Sequence, residues 1–445
     1  MGDNLIEVMK EGRYMHHITK TTIKIISFLL CFSTIGAFTA GFSDMALTIN
    51  SATGVAARAA RVERPGTTRI VASAPTGNQQ LEVPHRFYAY ERLDHVNSSG
   101  RRSFSPQTVR VLEQGKPNRY LISTYLGPRW IYFFDKYEKI VNPYVPYTYE
   151  QQIIDAIKLE SMYPDLISVS EIGSSVEKRQ IISIRLGKGS KSIVMVGSHH
   201  AREYITSTYL MKMIDEYAFA YYSTGKFGNY DMKSLLDAVT IHVVVMLNPD
   251  GVNLVQNGPD AVSDRKALDS LIMTRPSYRE WKNNINGVNL NANYPAEWEA
   301  KQSAKSPDSE KFKGYSPGSE PETQALMEYT KNNSFILAAS MHTKGEVIYW
   351  ADRRTQNLVS GQRQIAQEIS KSTGYPLTSV SWQPATYAAG YENWFRAEFL
   401  KPAFCIELTP LNGNSHPHKD SDFDRVAWNK AKDIGAVLAT ETLKR

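Results

Sequence analysis

The stretch Ser198-His199-His200-Ala201-Arg202-Glu203 sets a histidine and a carboxylate three residues apart, directly after the apolar run Ile193-Val194-Met195-Val196-Gly197. Imidazole nitrogen and carboxylate oxygen are both zinc ligands at about 2.0–2.2 Å, and a catalytic zinc site takes three protein ligands and leaves a fourth position to water. A His-x-x-Glu pair turns up by chance about once in a chain of this size, so the pair alone says little. The zinc-peptidase helix motif HExxH is absent from the chain. What gives His200 and Glu203 weight is their setting. Ile193 to Val196 has the length and β-branching of a buried parallel strand, and Tyr204 to Ala218 carries apolar residues at helical spacing. The pair therefore falls where a strand hands over to a helix, at the strand end where open α/β sheets bind ligands.

A third ligand has to come from another strand end. His342 follows the apolar run Phe335 to Met341, and Glu407 closes the run Pro402-Ala403-Phe404-Cys405-Ile406. A histidine after a strand is often only a polar loop residue. A carboxylate ending an apolar strand is costlier, unless it is paired or does chemistry. Cys405 shares a strand face with Glu407 by the period of two and reads as packing beside the site.

The elements that must position these groups alternate. Helices are expected over Glu150 to Leu159, Pro321 to Asn332, Asn357 to Ser372 and Arg425 to Leu443. Strands are expected over Ile181 to Leu186, Ile193 to Val196, Ala238 to Leu247, Phe335 to Met341, Val347 to Trp350 and Ala403 to Leu408. This pattern predicts an α/β fold with a mixed, mostly parallel sheet covered by helices on both faces.

The N-terminal third differs. Met1 to Lys24 is polar with several basic residues and Ile25 to Phe42 is apolar and uncharged, so residues 1–42 are expected to be a secretory signal or an N-terminal membrane anchor. The only cysteines of the 445 residues are Cys31 and Cys405, so the processed chain has no intrachain disulfide. Residues 43–75, rich in Ala, Thr, Ser and Arg, are expected to be a flexible linker. Short apolar-aromatic runs separated by turn residues predict a small all-β barrel over 76–140, followed by a linker at 141–149 and the main domain at 150–445. Residues 1–150 hold 18 Lys plus Arg against 12 Asp plus Glu, and the other 295 balance at 33 against 33, so the whole excess of +6 lies in this third. Such a basic exported module suits an anionic wall polymer or simply solubility. Nucleic acid is not an expected partner, because no motif for it is present.

Taken together, His200-Ala201-Arg202-Glu203, Asn248-Pro249-Asp250-Gly251, Trp281-Lys282, Gly287-Val288-Asn289-Leu290-Asn291, Ser340-Met341-His342 and Phe404-Cys405-Ile406-Glu407-Leu408 resemble the carboxypeptidase A-type zinc metallopeptidases from about Tyr149 onward. The resemblance implies that His200, Glu203 and His342 bind Zn2+, that Glu407 is the general base, and that Lys282 stands beside the developing oxyanion. Phe104 to Val109 and Tyr125 to Ile131 resemble bacterial Src-homology-3-type modules.

Two positions depart from the family pattern. The Asn-Arg pair that grips a terminal carboxylate is Asn291-Ala292 here, and the aspartate that orients the first histidine is Asn289. Gly390 to Phe395 and Asn293 to Trp298 resemble the bacterial subgroup that cleaves γ-D-glutamyl-diamino-acid bonds. That resemblance implies a substrate site using Arg202 or Arg353-Arg354 for a free carboxylate, Asn291, Tyr387 as a mobile contact, and Glu392 facing a cationic group.

The expectation is therefore an extracellular or wall-associated zinc peptidase acting on peptidoglycan stem peptides, with contact to a membrane only through an uncleaved N-terminal segment. A conventional carboxypeptidase and an inactive wall-binding protein are the alternatives.

Overall fold

Val239–Val244 is buried along its whole length and Lys191–Val196 from Ile193 onward, and each shows why a sheet forms here. Alternate side chains feed two separate cores. Ile193, Met195, Ile241, Val243, Leu337 and Phe404 pack into one, while Val194, Val196, Val244, Ala338 and Ala403 pack into the other. A strand with apolar residues on both faces must be covered on both sides, and burying each aliphatic side chain contributes about 1.5–3 kcal/mol. The first core is closed by Tyr149–Met162, Ile205–Tyr222, Gln362–Thr373 and Ile434–Leu443. The second is closed by Pro321–Lys331 and Tyr391–Phe399.

In this computed structural model the described residues are 61–63, 79–96, 100–272, 277–411 and 417–445. The seven-stranded sheet runs in the order Val347–Tyr349, Ala403–Glu407, Phe335–His342, Lys191–Val196, Val239–Val244, Gln180–Leu186, Ile167–Ser174. The four strands from Ala403–Glu407 to Val239–Val244 are mutually parallel, and the remaining three join antiparallel at the two edges. The fold class is thus the mixed, helix-covered sheet expected. Parallel strands put their carboxyl ends on one edge, so the turns at Gly197, Asn248, His342 and Glu407 open on the same side.

Several element boundaries differ from the sequence reading. Ile167–Ser174 was not anticipated, because its polar positions give it the composition of a half-exposed edge. The helix expected from Asn357 begins at Gln362, after Gly361 at φ 71°. The closing helix is interrupted: a π-helical turn at Asp424–Trp428 and a short helix at Asn429–Ala431 precede Ile434–Leu443.

The N-terminal module is a six-stranded antiparallel sheet in the order Gln80–Val83, Gln107–Gln114, Arg119–Thr124, Gly127–Tyr132, Phe87–Tyr90, Arg101–Phe104. This is the small all-β module expected ahead of the main domain, and among the described residues its two outer strands do not pair with each other. One face packs around Leu81, Phe87, Ile122 and Ile131. Tyr88, Tyr90, Tyr132 and Phe134 instead join the main core. At that junction Glu160 is fully buried, pairs with Arg101 at 2.9 Å, and accepts the Val169 N–H at 2.8 Å and the Tyr90 hydroxyl. The segment expected as a linker at 141–149 is anchored too. Tyr147 is fully buried, and Asp215 accepts the N–H groups of Ile140 and Val141, both at 3.0 Å. Val141, Pro143 and Tyr147 are buried and Asn142, Tyr144, Val145 and Pro146 are exposed, so the segment is pinned at points along its length.

The leader or anchor expected over 1–42 lies outside the described residues, as does most of the linker expected over 43–75. Within the latter, Arg61–Glu63 pairs antiparallel with Lys136–Glu138, a backbone ladder where a flexible linker was expected. No helix among the described residues is long and apolar enough to cross a membrane.

Candidate metal centre and active site

The turn after Lys191–Val196 is shaped by close approach. A Cβ on Gly197 would lie 2.6 Å from the Val245 carbonyl oxygen and 2.8 Å from Leu210 Cδ1, so only glycine fits without displacement. Ser198 follows at φ 49°, its N–H donating to Thr206 Oγ1 at 2.8 Å. This reversal leads into the 3-10 turn Ala201–Glu203, which brings His200 and Glu203 together. Asn248 braces the turn from behind: its Nδ2 donates to the carbonyls of His199 and Asn283 at 3.3 and 3.1 Å.

His200 Nδ1 lies 2.9 Å from Glu203 Oε1. His342 Nδ1 lies 3.1 Å from Glu203 Oε2 and 3.1 Å from His200 Nδ1. These buried donor atoms all fall within 4.8 Å of one another, and among the described residues no other group of three His, Cys, Asp or Glu does so. Two imidazole nitrogens and a carboxylate facing a common point are a donor set that fits zinc. Burial lowers His200 to about 3, keeping its imidazole neutral. For Glu203, burial opposes ionisation but its interactions with the His200 and His342 rings outweigh that, and the carboxyl is held well below its usual range. The His200 and Glu203 states are those a metal requires, whereas at His342 burial is outweighed by the Glu203 hydrogen bond and charge and the ring is held above its ordinary value, so metal binding there would release a proton.

Outer contacts aim the ligands. Asn289 Oδ1 meets His200 Nε2 at 3.2 Å, the position the family gives to aspartate. Thr343 N–H donates to Glu203 Oε2 at 3.1 Å. Asn291 Nδ2 lies 3.2 Å from His342 Nε2, and its Oδ1 accepts the Tyr391 N–H at 2.9 Å. Asn291, expected at the substrate, thus braces the second histidine. His199, which the sequence reading passed over, stacks on His342 with ring centroids 5.5 Å apart and meets the Tyr294 hydroxyl at 3.2 Å. A doubled histidine at a strand end was the available signal for it.

Glu407 ends its strand in register with His342. Its Oε2 is buried without a hydrogen-bond partner, and burial pushes the carboxyl up, with the Glu203 charge adding to the rise. A desolvated carboxylate with a free oxygen is suited to accept a proton. Lys282 is held by the metal turn, its carbonyl accepting the Ala201 N–H at 2.9 Å. Burial lowers its pKa, against the charges of Glu203 and Glu407. Cys405 is a buried free thiol whose pKa burial raises well above normal, as suits packing.

Most of the residues expected at the substrate have partners within the protein. Arg202 is engaged elsewhere, donating to the Glu280 carbonyl at 3.0 Å and pairing with Glu310 at 3.1 Å. Arg353 pairs with Glu297 at 3.8 Å, and Tyr387 donates its hydroxyl to the same Glu297. Glu392 is buried, with the Ser340 hydroxyl 3.4 Å from its Oε2. Ala292, Lys282 and Asn289 line one wall of a cleft of about 440 Å³, with Lys301, Lys311, Glu310 and Thr386 around it.

Comparison with known proteins agrees with this geometry. The family described as zinc carboxypeptidase matches residues 153–409. "Gamma-D-glutamyl-L-diamino acid endopeptidase 1" of Lysinibacillus sphaericus is 33% identical over 296 residues, covering 65% of this chain and 71% of the relative. "Uncharacterized protein YqgT" of Bacillus subtilis (strain 168) is 31% identical over 351 residues, covering 76% of this chain and 91% of that protein. Among solved structures, bovine thrombin-activatable fibrinolysis inhibitor in complex with tick carboxypeptidase inhibitor matches with a TM-score of 0.54 at 19% identity, covering 68% of this chain and 99% of that one.

Proposed function

The chain belongs to the zinc carboxypeptidase family and is a zinc metallopeptidase, and from that premise we propose that it hydrolyses γ-D-glutamyl-diamino-acid bonds in peptidoglycan stem peptides. The observation that carries this reading is Ala292. It is buried beside Asn291 and lines the cleft, where an arginine would grip an ordinary C-terminal carboxylate in a bidentate pair. A site without that clamp suits a peptide bond flanked by further chain. The name of the Lysinibacillus sphaericus relative points to the same bond class.

His200, Glu203 and His342 would hold the zinc. When bound, the metal supplies Lewis acidity, polarising the scissile carbonyl and lowering the pKa of water towards about 7. Glu407 takes the proton of the attacking water on its free oxygen and passes it to the leaving amine. Lys282 offers an ammonium to the developing oxyanion, and one such donor is worth roughly a hundredfold to a thousandfold in rate. Glu392, buried on the helix Tyr391–Phe399, faces the cationic end of the diamino acid.

The apolar run in residues 1–42 and the basic N-terminal third support export and placement at the wall, where the module meets anionic polymer. The test of the substrate reading is a comparison of two peptides, one carrying a γ-D-Glu-diamino-acid bond and one a blocked dipeptide with a free C-terminus. Turnover of the first is expected. Turnover of the blocked dipeptide alone would assign the chain to conventional carboxypeptidases.

A further inference from the structure

The cleft beside Ala292 is lined by three cations, Lys282, Lys301 and Lys311, and one anion, Glu310. That anion is already paired with Arg202. Lys282 Nζ makes no hydrogen bond or ion pair among the described residues, and Lys301 Nζ donates only to the Thr386 carbonyl. Lys282 and Lys301 therefore present ammonium groups to the cleft without a direct carboxylate partner among the described residues. Burial lowers Lys301 to about 8, the Lys282 charge adding to this and the Glu392 charge opposing it.

Lys301 is also held in place. Its N–H donates to the Trp298 carbonyl at 3.1 Å, and its own carbonyl accepts from Lys313 Nζ at 2.9 Å. The next residue, Gln302, donates its N–H to Ala385 at 3.1 Å, tying this strap to the short helix Pro384–Tyr387. A cation on a braced backbone loses little freedom when it meets an anion, which favours binding.

Resting on the substrate reading above, we propose that Lys301 is the carboxylate anchor of this site, binding a substrate carboxylate next to the scissile bond in place of the arginine missing after Asn291. Arg202 and Arg353 are engaged by Glu310 and Glu297, whereas Lys301 meets only a carbonyl and faces the cleft that Ala292 lines. An ammonium is a point charge without the fork of a guanidinium, so it selects for charge while tolerating varied carboxylate orientation. The ligand chemistry is a carboxylate. Its source is either the α-carboxylate of the γ-linked glutamyl residue or the carboxylate of the diamino acid.

The test uses the zinc-loaded full chain, Lys301→Met and Lys301→Arg, on three γ-D-Glu-diamino-acid peptides: unmodified, amidated on the glutamyl α-carboxylate, and amidated on the diamino-acid carboxylate. For the wild type, one amidation is expected to raise KM roughly ten- to a hundredfold, the worth of a hydrogen bond to a charged group, and its identity names the source. Lys301→Met is expected to raise KM by the same factor on the unmodified peptide, to add nothing on that amidated one, and to leave kcat within a few-fold. Lys301→Arg restores part of the loss. Calorimetric binding of the same peptides to Glu407→Gln, with and without Lys301→Met, reads the anchor without turnover. The proposal is overturned if Lys301→Met shifts all three peptides equally, or lowers only thermal stability. If the wild type cleaves all three with one KM, the substrate reading stands and the anchor falls; if it cleaves none, the substrate reading fails, and calorimetry still decides whether Lys301 binds a carboxylate.

Discussion

Glu407 is the register partner of His342 in the parallel ladder between Ala403–Glu407 and Phe335–His342. Two residues 65 positions apart in the chain are thus set side by side by backbone hydrogen bonding, and the proton acceptor keeps its place relative to the metal ligand. Glu407→Gln preserves the shape and removes the base. It is expected to lower kcat by about a hundredfold to ten-thousandfold while zinc content, measured by atomic absorption, stays at one per chain. Loss of zinc along with activity would make Glu407 a structural support of the site instead.

Asn289 meets His200 Nε2 with a neutral oxygen. Asn289→Leu leaves that ring nitrogen without its partner, and zinc affinity is expected to fall roughly ten- to a hundredfold. Competition with a chelator of known affinity measures it. An unchanged affinity would mean that Asn289 does not orient the ligand.

How far the sequence disclosed this site depends on where each residue sits. His200, Glu203, His342 and Glu407 stand at the ends of strongly apolar runs, so strand termini could be read from composition, while their meeting at one metal was implied by the resemblance to carboxypeptidase A-type zinc peptidases. The contact of Asn291 with His342 could not be read from the sequence, because the two are 51 residues apart and no local pattern reports which side of a turn an amide faces. The partner of Arg202 is hidden for the same reason: Glu310, which engages it, lies 108 residues on. The junction at 141–149 looked like a linker because Pro143 and Pro146 punctuate it, whereas the burial of Tyr147 depends on helices elsewhere in the chain. The strand Ile167–Ser174 was missed because a partly exposed edge lacks the continuous apolar run of a central strand.

The Arg101–Glu160 pair fastens the N-terminal module to the main core. Burial raises the Glu160 carboxyl above its ordinary value, with the Arg101 charge opposing. Arg101→Met leaves a buried acid without its cation and is expected to cost about 3 kcal/mol in chemical denaturation. Adding Glu160→Gln should recover part of the loss. Equal stability of the single variant and the wild type would show that the module is not held there.

Asp215 accepts two backbone N–H groups through Oδ2, while its buried Oδ1 has no hydrogen-bond partner. Burial raises this carboxyl to about 7, against about 3.9 in an unfolded chain. The folded state therefore holds a proton that the unfolded state releases. The stability it contributes is complete below about pH 4 and is lost as pH rises through 7. Asp215→Asn imitates the protonated acid, so the variant should gain on the wild type by about 2 kcal/mol between pH 5 and pH 8 in urea unfolding. A difference that does not change with pH would exclude Asp215 as the titrating group.

The convergence of His200, Glu203 and His342 is tested most directly by anomalous diffraction at the zinc edge from crystals of the zinc-loaded protein. A single strong peak is expected within about 2.0–2.2 Å of His200 Nδ1, His342 Nδ1 and a Glu203 carboxylate oxygen. A peak bound elsewhere, or one that leaves His342 out of coordination, would contradict it.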